Sequence, residues 1–107
     1  MRRGDLVSLP LATVDGAPRL ALVIQSDLFA AHPSVTILPV THEVRNTPLF
    51  RVPVNPGERN GLDKPCEVMA DKAQTVARST VGDLLGHLAE EDMLAVSRAL
   101  AVFLGVV

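Results

Sequence analysis

The sequence predicts a mainly β chain of the α+β class, a small antiparallel barrel or half-barrel closed by a C-terminal α-helix. Three observations point there. The apolar runs before residue 80 are strand-length and are separated by clusters of Gly, Pro, Asn and Asp. From Glu90 to Gly105 the apolar spacing changes to that of a helix. Nowhere do strands and helices alternate as a parallel sheet requires. At 107 residues the chain is long enough for one core and too short for two, so a single domain over 1–107 is expected.

Asp5 to Leu9 reads as a first strand closed by Pro10, with Asp15-Gly16-Ala17-Pro18 as the turn of a hairpin. Its partner, Leu20 to Gln25, is short, continuous and rich in branched side chains, the pattern of a buried strand. A polar loop with His32, Pro33 and Ser34 precedes a second such run, Val35 to Val40. Pro39 has no N–H for a ladder, so it is expected at an edge, a bulge or the strand's end, with Thr41 just beyond. Leu49 to Val54 alternates before the turn-rich Asn55 to Gly61, and Cys66 to Met69 and Gln74 to Ala77 are two further strands. In the tail, Met93, Val96, Leu100, Phe103 and Leu104 recur at helical spacing. Glu90, Glu91 and Asp92 lie at the positive end of that helix's dipole, and Gly105 lies past its end. Ala89 is a poor N-cap, which leaves the exact start open. His87 is expected to pack where the helix begins, and His32 to be a loop residue.

Composition narrows the function classes. The chain is 48% hydrophobic with a mean hydropathy of +0.29, yet its apolar runs fall far short of the ~20 residues that span a bilayer. A soluble protein is expected, with part of its apolar surface covered by a second copy. The lone Cys66 excludes an intramolecular disulfide, fits a reducing compartment and reads as a small buried hydrophobe. Met1-Arg2-Arg3 is basic like the start of a signal peptide, but Asp5, Pro10 and Asp15 interrupt any apolar segment after it, so a cytoplasmic location is expected. A net charge of −2 provides no footprint for wrapping long nucleic acid; any such function rests on a local patch.

The sequence contains no glycine-rich phosphate loop, no paired-cysteine or HExxH metal spacing and no GxSxG nucleophile turn. What remains is a set of polar residues that interrupt or end apolar strands: Arg19, Gln25, Ser26, Asp27, Thr41, His42, Asp71 and Thr75. Each also has a structural use. Arg19 can open a strand with its guanidinium in water, Thr41 can close one, and Asp71 can satisfy backbone donors in a turn.

The order and spacing of RGDLV, PRLALVIQSD, TILPVT, VMADKAQTV and the closing ALAVFLG resemble the MazF/PemK family of bacterial toxins over nearly the whole chain. The resemblance implies an SH3-like β-barrel with a C-terminal helix, a cytoplasmic homodimer, a cognate antitoxin and cleavage of single-stranded RNA with no cofactor. It places Arg19 at the arginine of the family's RPxxV strand and Thr41 at the threonine of its PxT, the two residues of its catalytic pair. Asp71 opens the stretch written D-Q-x-x-[ST], implicated in RNA binding or proton transfer in the PemK branch, and Thr75 closes it. Gln25, Ser26, His42 and Thr75 are the expected substrate contacts. Leu20 replaces the usual proline after the arginine, Lys72 the usual glutamine, and Ala30 an asparagine. The loop before Arg19 is short, so no RNA sequence preference carries over.

RNA supplies its own nucleophile. When a 2′-hydroxyl attacks the adjacent phosphate, the protein has only to remove a proton, stabilise the charged phosphorane and protonate the leaving 5′-oxygen, none of which requires a metal. A guanidinium is always charged and forks onto two phosphate oxygens, which suits Arg19 to the phosphorane. Thr41 adds a hydroxyl hydrogen bond. Asp71 or His42 serves as the base, with Asp71 ranked first by resemblance. Two other functions fit the same fold. A gyrase poison like the fold-related CcdB would act through its C-terminal helix end, but Leu104-Gly105-Val106-Val107 lacks the tryptophan that CcdB carries before its glycine. A catalytically silent binding module would use the barrel only to hold a partner.

Overall fold

The computed structural model describes residues 1–14 and 16–106. Asp15 of the expected turn and the terminal Val107 lie outside the described residues. The strands are β1 (Asp5–Val14), β2 (Ala17–Val23), β3 (Ser34–Thr41), β4 (Arg51–Val54), β5 (Cys66–Met69), β6 (Gln74–Ala77) and β7 (Leu84–His87), followed by the helix α1 (Glu90–Leu104). They form one antiparallel sheet in the order β4-β5-β3-β2-β1-β7, with β6 pairing β3 beside β5. This is the half-barrel with a C-terminal helix that the sequence predicts.

The continuous apolar runs have a physical reason. Alternate residues of β1, β2 and β3 enter two different cores: Leu6, Leu22 and Leu38 face the layer covered by α1, while Val7, Ala21, Val23 and Ile37 face a smaller layer under Val76 and Val81. A strand buried on both faces carries no polar alternation. On α1, Met93 and Val96 are buried and Leu100 is half-buried, but Phe103 and Leu104 are exposed, contrary to the full stripe read from the sequence. The sheet ends before the helix does. Ala89 makes no side-chain cap, and Gly105 closes the helix at φ 72°, a left-handed turn in which Val106 N–H donates to the Ala101 carbonyl at 3.0 Å. Arg3 ties the helix to the end of β2, donating to the Ile24 carbonyl at 3.1 Å and to Ser97 Oγ at 2.8 Å.

Pro10 and Pro39 sit differently from the sequence expectation. β1 does not stop at Pro10; it runs on to Val14 through a bulge that shifts its register between Leu9 and Thr13. Pro10 falls where no partner asks for its N–H. Pro39 is fully buried inside β3, opposite Ala21, rather than at an edge or an end. It is tolerated because β3 pairs with β6 along Ser34–Ile37 and with β5 only at Val40 and Thr41, so Pro39 lies in the gap between the two partners.

The strand expected over Leu20–Gln25 starts earlier and ends at Val23, which releases Gln25 into the following loop. The strand expected from Leu49 begins at Arg51. β7 has no counterpart in the sequence reading. Its Gly86 is required by close approach, since a Cβ there would run into the backbone of Arg59 and Asn60. His87 ends β7 just before the helix, with Nδ1 2.8 Å from the Asp5 carboxylate.

Candidate active site

Between the start of β2, the end of β3 and the start of β4 lies an open groove of about 810 Å³, lined by Arg19, Thr41, His42, Arg51 and Lys64 among others. Its central pair follows from strand register. Leu20 pairs with Val40 and Ala21 with Pro39, so one residue further along the same register Arg19 stands across from Thr41. Directly opposed residues project from the same face, with Cβ atoms about 5 Å apart. Arg19 is the third residue of β2, paired with Leu9 of β1, inside the strand that the sequence reading starts only at Leu20.

The two side chains are free in complementary ways. Among the described residues the half-buried Arg19 guanidinium makes no hydrogen bond or ion pair. Thr41 Oγ1 accepts the Glu43 N–H at 3.1 Å, a local turn that leaves its own O–H to donate. A guanidinium fork beside a hydroxyl donor suits an oxyanion such as a phosphate.

Beneath the pair lies a buried ion pair that sequence reasoning did not single out. Arg51 is 6% exposed and Glu67 1%. Arg51 Nη1 donates to the Glu67 carboxylate at 3.1 Å and to the Glu43 carbonyl at 2.9 Å, and Glu67 also accepts the backbone N–H groups of Arg45 at 3.0 Å and Asn46 at 3.2 Å. Burial pushes the Glu67 carboxyl up, but the Arg45 N–H, the Arg51 guanidinium and the Asn46 N–H together outweigh it and hold the group below the usual carboxylate range. The result fixes the loop that follows Thr41. The signal was present in the sequence as one arginine in Arg51-Val52-Pro53-Val54 and one glutamate in Cys66-Glu67-Val68-Met69, charges inside otherwise apolar strands.

His42 also lines the groove, with Nδ1 3.0 Å from the buried Cys66 Sγ. Asp71 lies on the short turn Ala70–Lys72, directly after the groove residue Met69 but outside the groove lining. Its Oδ2 is 3.6 Å from Lys72 Nζ, and its buried Oδ1 has no hydrogen-bond partner among the described residues. Gln25, Ser26 and Thr75 lie elsewhere. Gln25 follows the far end of β2, six residues or about 20 Å of extended chain from Arg19. It spans its loop, donating to the Phe29 and Ser34 carbonyls and accepting the Thr36 N–H, all at 3.1 Å. Ser26 caps the turn Asp27–Phe29, and Thr75 shares a 2.9 Å hydroxyl hydrogen bond with Thr36 across β3 and β6. Among the described residues no three His, Cys, Asp or Glu side chains gather as a metal site.

Residues 2–104 match the family described as the PemK-like, MazF-like toxin of type II toxin-antitoxin systems. The chain belongs to that family. It is 42% identical over 107 residues to a probable endoribonuclease MazF of Mycolicibacterium smegmatis, a match covering 99% of this chain and 98% of the relative. The fold is that of an endoribonuclease solved in complex with its cognate antitoxin from a mycobacterial species, with a TM-score of 0.80 at 23% identity, covering 100% of this chain and 97% of that one. The Mycobacterium tuberculosis toxin MazF-mt6 superposes with a TM-score of 0.77 at 26% identity, covering 96% and 97% of the two chains. In this MazF-like chain, the arginine and threonine that the resemblance selects are the two that strand register brings together.

Proposed function

We propose that this MazF-like toxin is a metal-independent, sequence-specific endoribonuclease that cleaves single-stranded RNA, forming a 2′,3′-cyclic phosphate and inhibiting growth. The observation that carries the reading is the groove in which Arg19 and Thr41 face each other, in a chain 42% identical to a probable endoribonuclease MazF. Arg19 grips the scissile phosphate and Thr41 hydrogen-bonds it. Asp71 contributes beside the groove to RNA binding or proton transfer, and Gln25, Ser26, His42 and Thr75 are the further substrate contacts. The gyrase-poison alternative is not favoured, since the family and relatives matched are MazF-like toxins. RNA incubated with the purified chain is expected to be cut equally with and without EDTA, leaving 5′-hydroxyl ends. Intact RNA, or cleavage abolished by the chelator, would refute the reading.

The chain acts as a single toxin domain in the cytoplasm, as a homodimer held inactive by its cognate antitoxin. Among the described residues no helix is long and apolar enough to cross a membrane. Exposed Leu94, Val102, Phe103 and Leu104 on α1 support a covering second copy, and the mycobacterial structure with its cognate antitoxin supports the partner. An acidic, partly disordered antitoxin segment is expected to cover the Arg19 groove, mimicking phosphate charge. Sedimentation at micromolar concentration should report a dimer, and the antitoxin segment should displace a fluorescent RNA. A monomer would remove the first expectation, and simultaneous unhindered binding the second.

A further inference from the structure

We propose that His42 is the general base of this cleavage and that Cys66 is the positioning residue that presents its Nε2 to the RNA. The inference rests on the endoribonuclease reading above and deepens it.

Its ground is a thiol with two contacts. Cys66 Sγ lies 3.0 Å from His42 Nδ1 and 3.4 Å from the Lys64 carbonyl oxygen. A carbonyl only accepts, so the second contact is a hydrogen bond only when the sulfur's own proton points at Lys64. The first contact then needs a proton on Nδ1, donated to the sulfur. In a neutral imidazole that leaves Nε2 with a free lone pair. The opposite assignment, with the thiol donating to Nδ1, leaves the Lys64 contact without a proton. Burial and the Asp63 carboxylate push the Cys66 thiol up, against the Lys64 ammonium, so the sulfur stays protonated and has a proton to point at the Lys64 carbonyl.

The placement of the ring agrees. Cys66 belongs to the core under α1, whereas His42 is exposed and lines the groove next to Thr41. The imidazole is held by its core-side edge, and Nε2 lies on the other. Glu43, the neighbouring carboxylate, is engaged by Arg45 at 3.1 and 2.9 Å, and Asp71 lies outside the groove lining. The charged and titratable groups around His42 are Arg19 from β2, Glu43 from its own loop, Arg51 from β4, Asp63 and Lys64 ahead of β5, and Cys66 with Glu67 on β5.

In the step itself, Nε2 takes the proton of the 2′-hydroxyl as the 2′-oxygen bonds to phosphorus. The bond from phosphorus to the 5′-oxygen breaks, and that oxygen takes a proton from water. The products are a 2′,3′-cyclic phosphate and a 5′-hydroxyl, and the imidazolium returns its proton to the hydroxide left by that water.

Two measurements test this. Long-range proton–nitrogen NMR of the intact protein, with His42 assigned by comparison with His42→Gln, should show the tautomer protonated at Nδ1, and Cys66→Ala should lose that preference. A ring protonated at Nε2 overturns the proposal without any activity assay. Against pH, cleavage of a fluorogenic RNA should fall on the acid side as imidazolium forms, and His42→Gln should remove that limb while lowering kcat by about 10²- to 10⁴-fold. Cys66→Ala should lower kcat by about 10- to 100-fold at unchanged KM, as loss of an orienting partner does for metal-bound histidines. Cys66→Ser, whose hydroxyl can accept from Nδ1 and donate to Lys64, should restore it. Asp63→Asn and Asp71→Asn should keep the acid limb; its loss in either names that carboxylate as the base and overturns His42. A wild type that cuts no RNA overturns the endoribonuclease reading and the base role together. A wild type that cuts, with the acid limb intact in His42→Gln, overturns this inference alone.

Discussion

Arg19→Ala is expected to lose about 2 to 4 kcal/mol of transition-state stabilisation, roughly 30- to 1,000-fold in cleavage rate, the usual cost of deleting one preorganised donor to a developing oxyanion. Arg19→Lys should not rescue it, because an ammonium keeps the charge but loses the fork that meets two phosphate oxygens. Folding should be almost untouched: among the described residues the guanidinium makes no hydrogen bond or ion pair, so no buried partner is stranded when it leaves. The measurement is cleavage of a fluorogenic RNA beside a thermal melt of each variant. A strongly destabilised Arg19→Ala would make the arginine a structural residue, and a stable variant with unchanged cleavage would remove it from the site.

Arg51→Met should show the opposite balance. It leaves the Glu67 carboxylate buried with only its two backbone donors, a loss of about 3 to 5 kcal/mol that lowers Tm by more than ~10 °C. Adding Glu67→Leu removes the stranded charge and should recover much of that stability. Cleavage should not return, because the loop after Thr41 has lost the carboxylate that holds Arg45 and Asn46. A double variant that is stable and active would show that the pair does not position the site. The same carboxylate sets a pH limit. Glu67 is held below its ordinary range in the folded state, so its stabilisation is complete above the unfolded carboxyl's pKa and is lost as pH falls through the lower folded value. The stability gap between wild type and Arg51→Met, read from melts followed by circular dichroism, should therefore narrow as pH falls through that range, because protonation removes the charge that the variant leaves stranded.

Much of the fold was legible because burial leaves a local mark. Leu20 to Gln25 and Val35 to Val40 read as buried strands since both faces of β2 and β3 meet apolar layers, and that demand falls on nearly every residue in turn. The terminal helix was legible from its 3.6-residue period and from Gly105, whose left-handed φ of 72° few other residues adopt readily. β7 was not legible. Its pairing with β1 and the passage of the Arg59–Asn60 backbone over Gly86 are relations between segments far apart in sequence, and the short Leu84-Leu85-Gly86-His87 shows no period of its own.

For the site, resemblance of motifs selected Arg19 and Thr41, while nothing in composition or spacing said that they meet. The sequence by itself determined the residue types, the strand runs on which they stand and the absence of any established metal or nucleophile motif. Tertiary structure alone decided who faces whom. A one-residue change of register between β2 and β3 would put Arg19 and Thr41 on opposite faces of the sheet, and that register is held by the packing of both cores rather than by either motif. The pairing of β3 with β6 sends Thr75 to the other end of the strands, that of β4 with β5 seats Arg51 on Glu67, and that of β3 with β5 brings the Cys66 thiol, 24 positions away in sequence, against the ring of His42. Such contacts depend on distances through space, which a linear pattern does not encode.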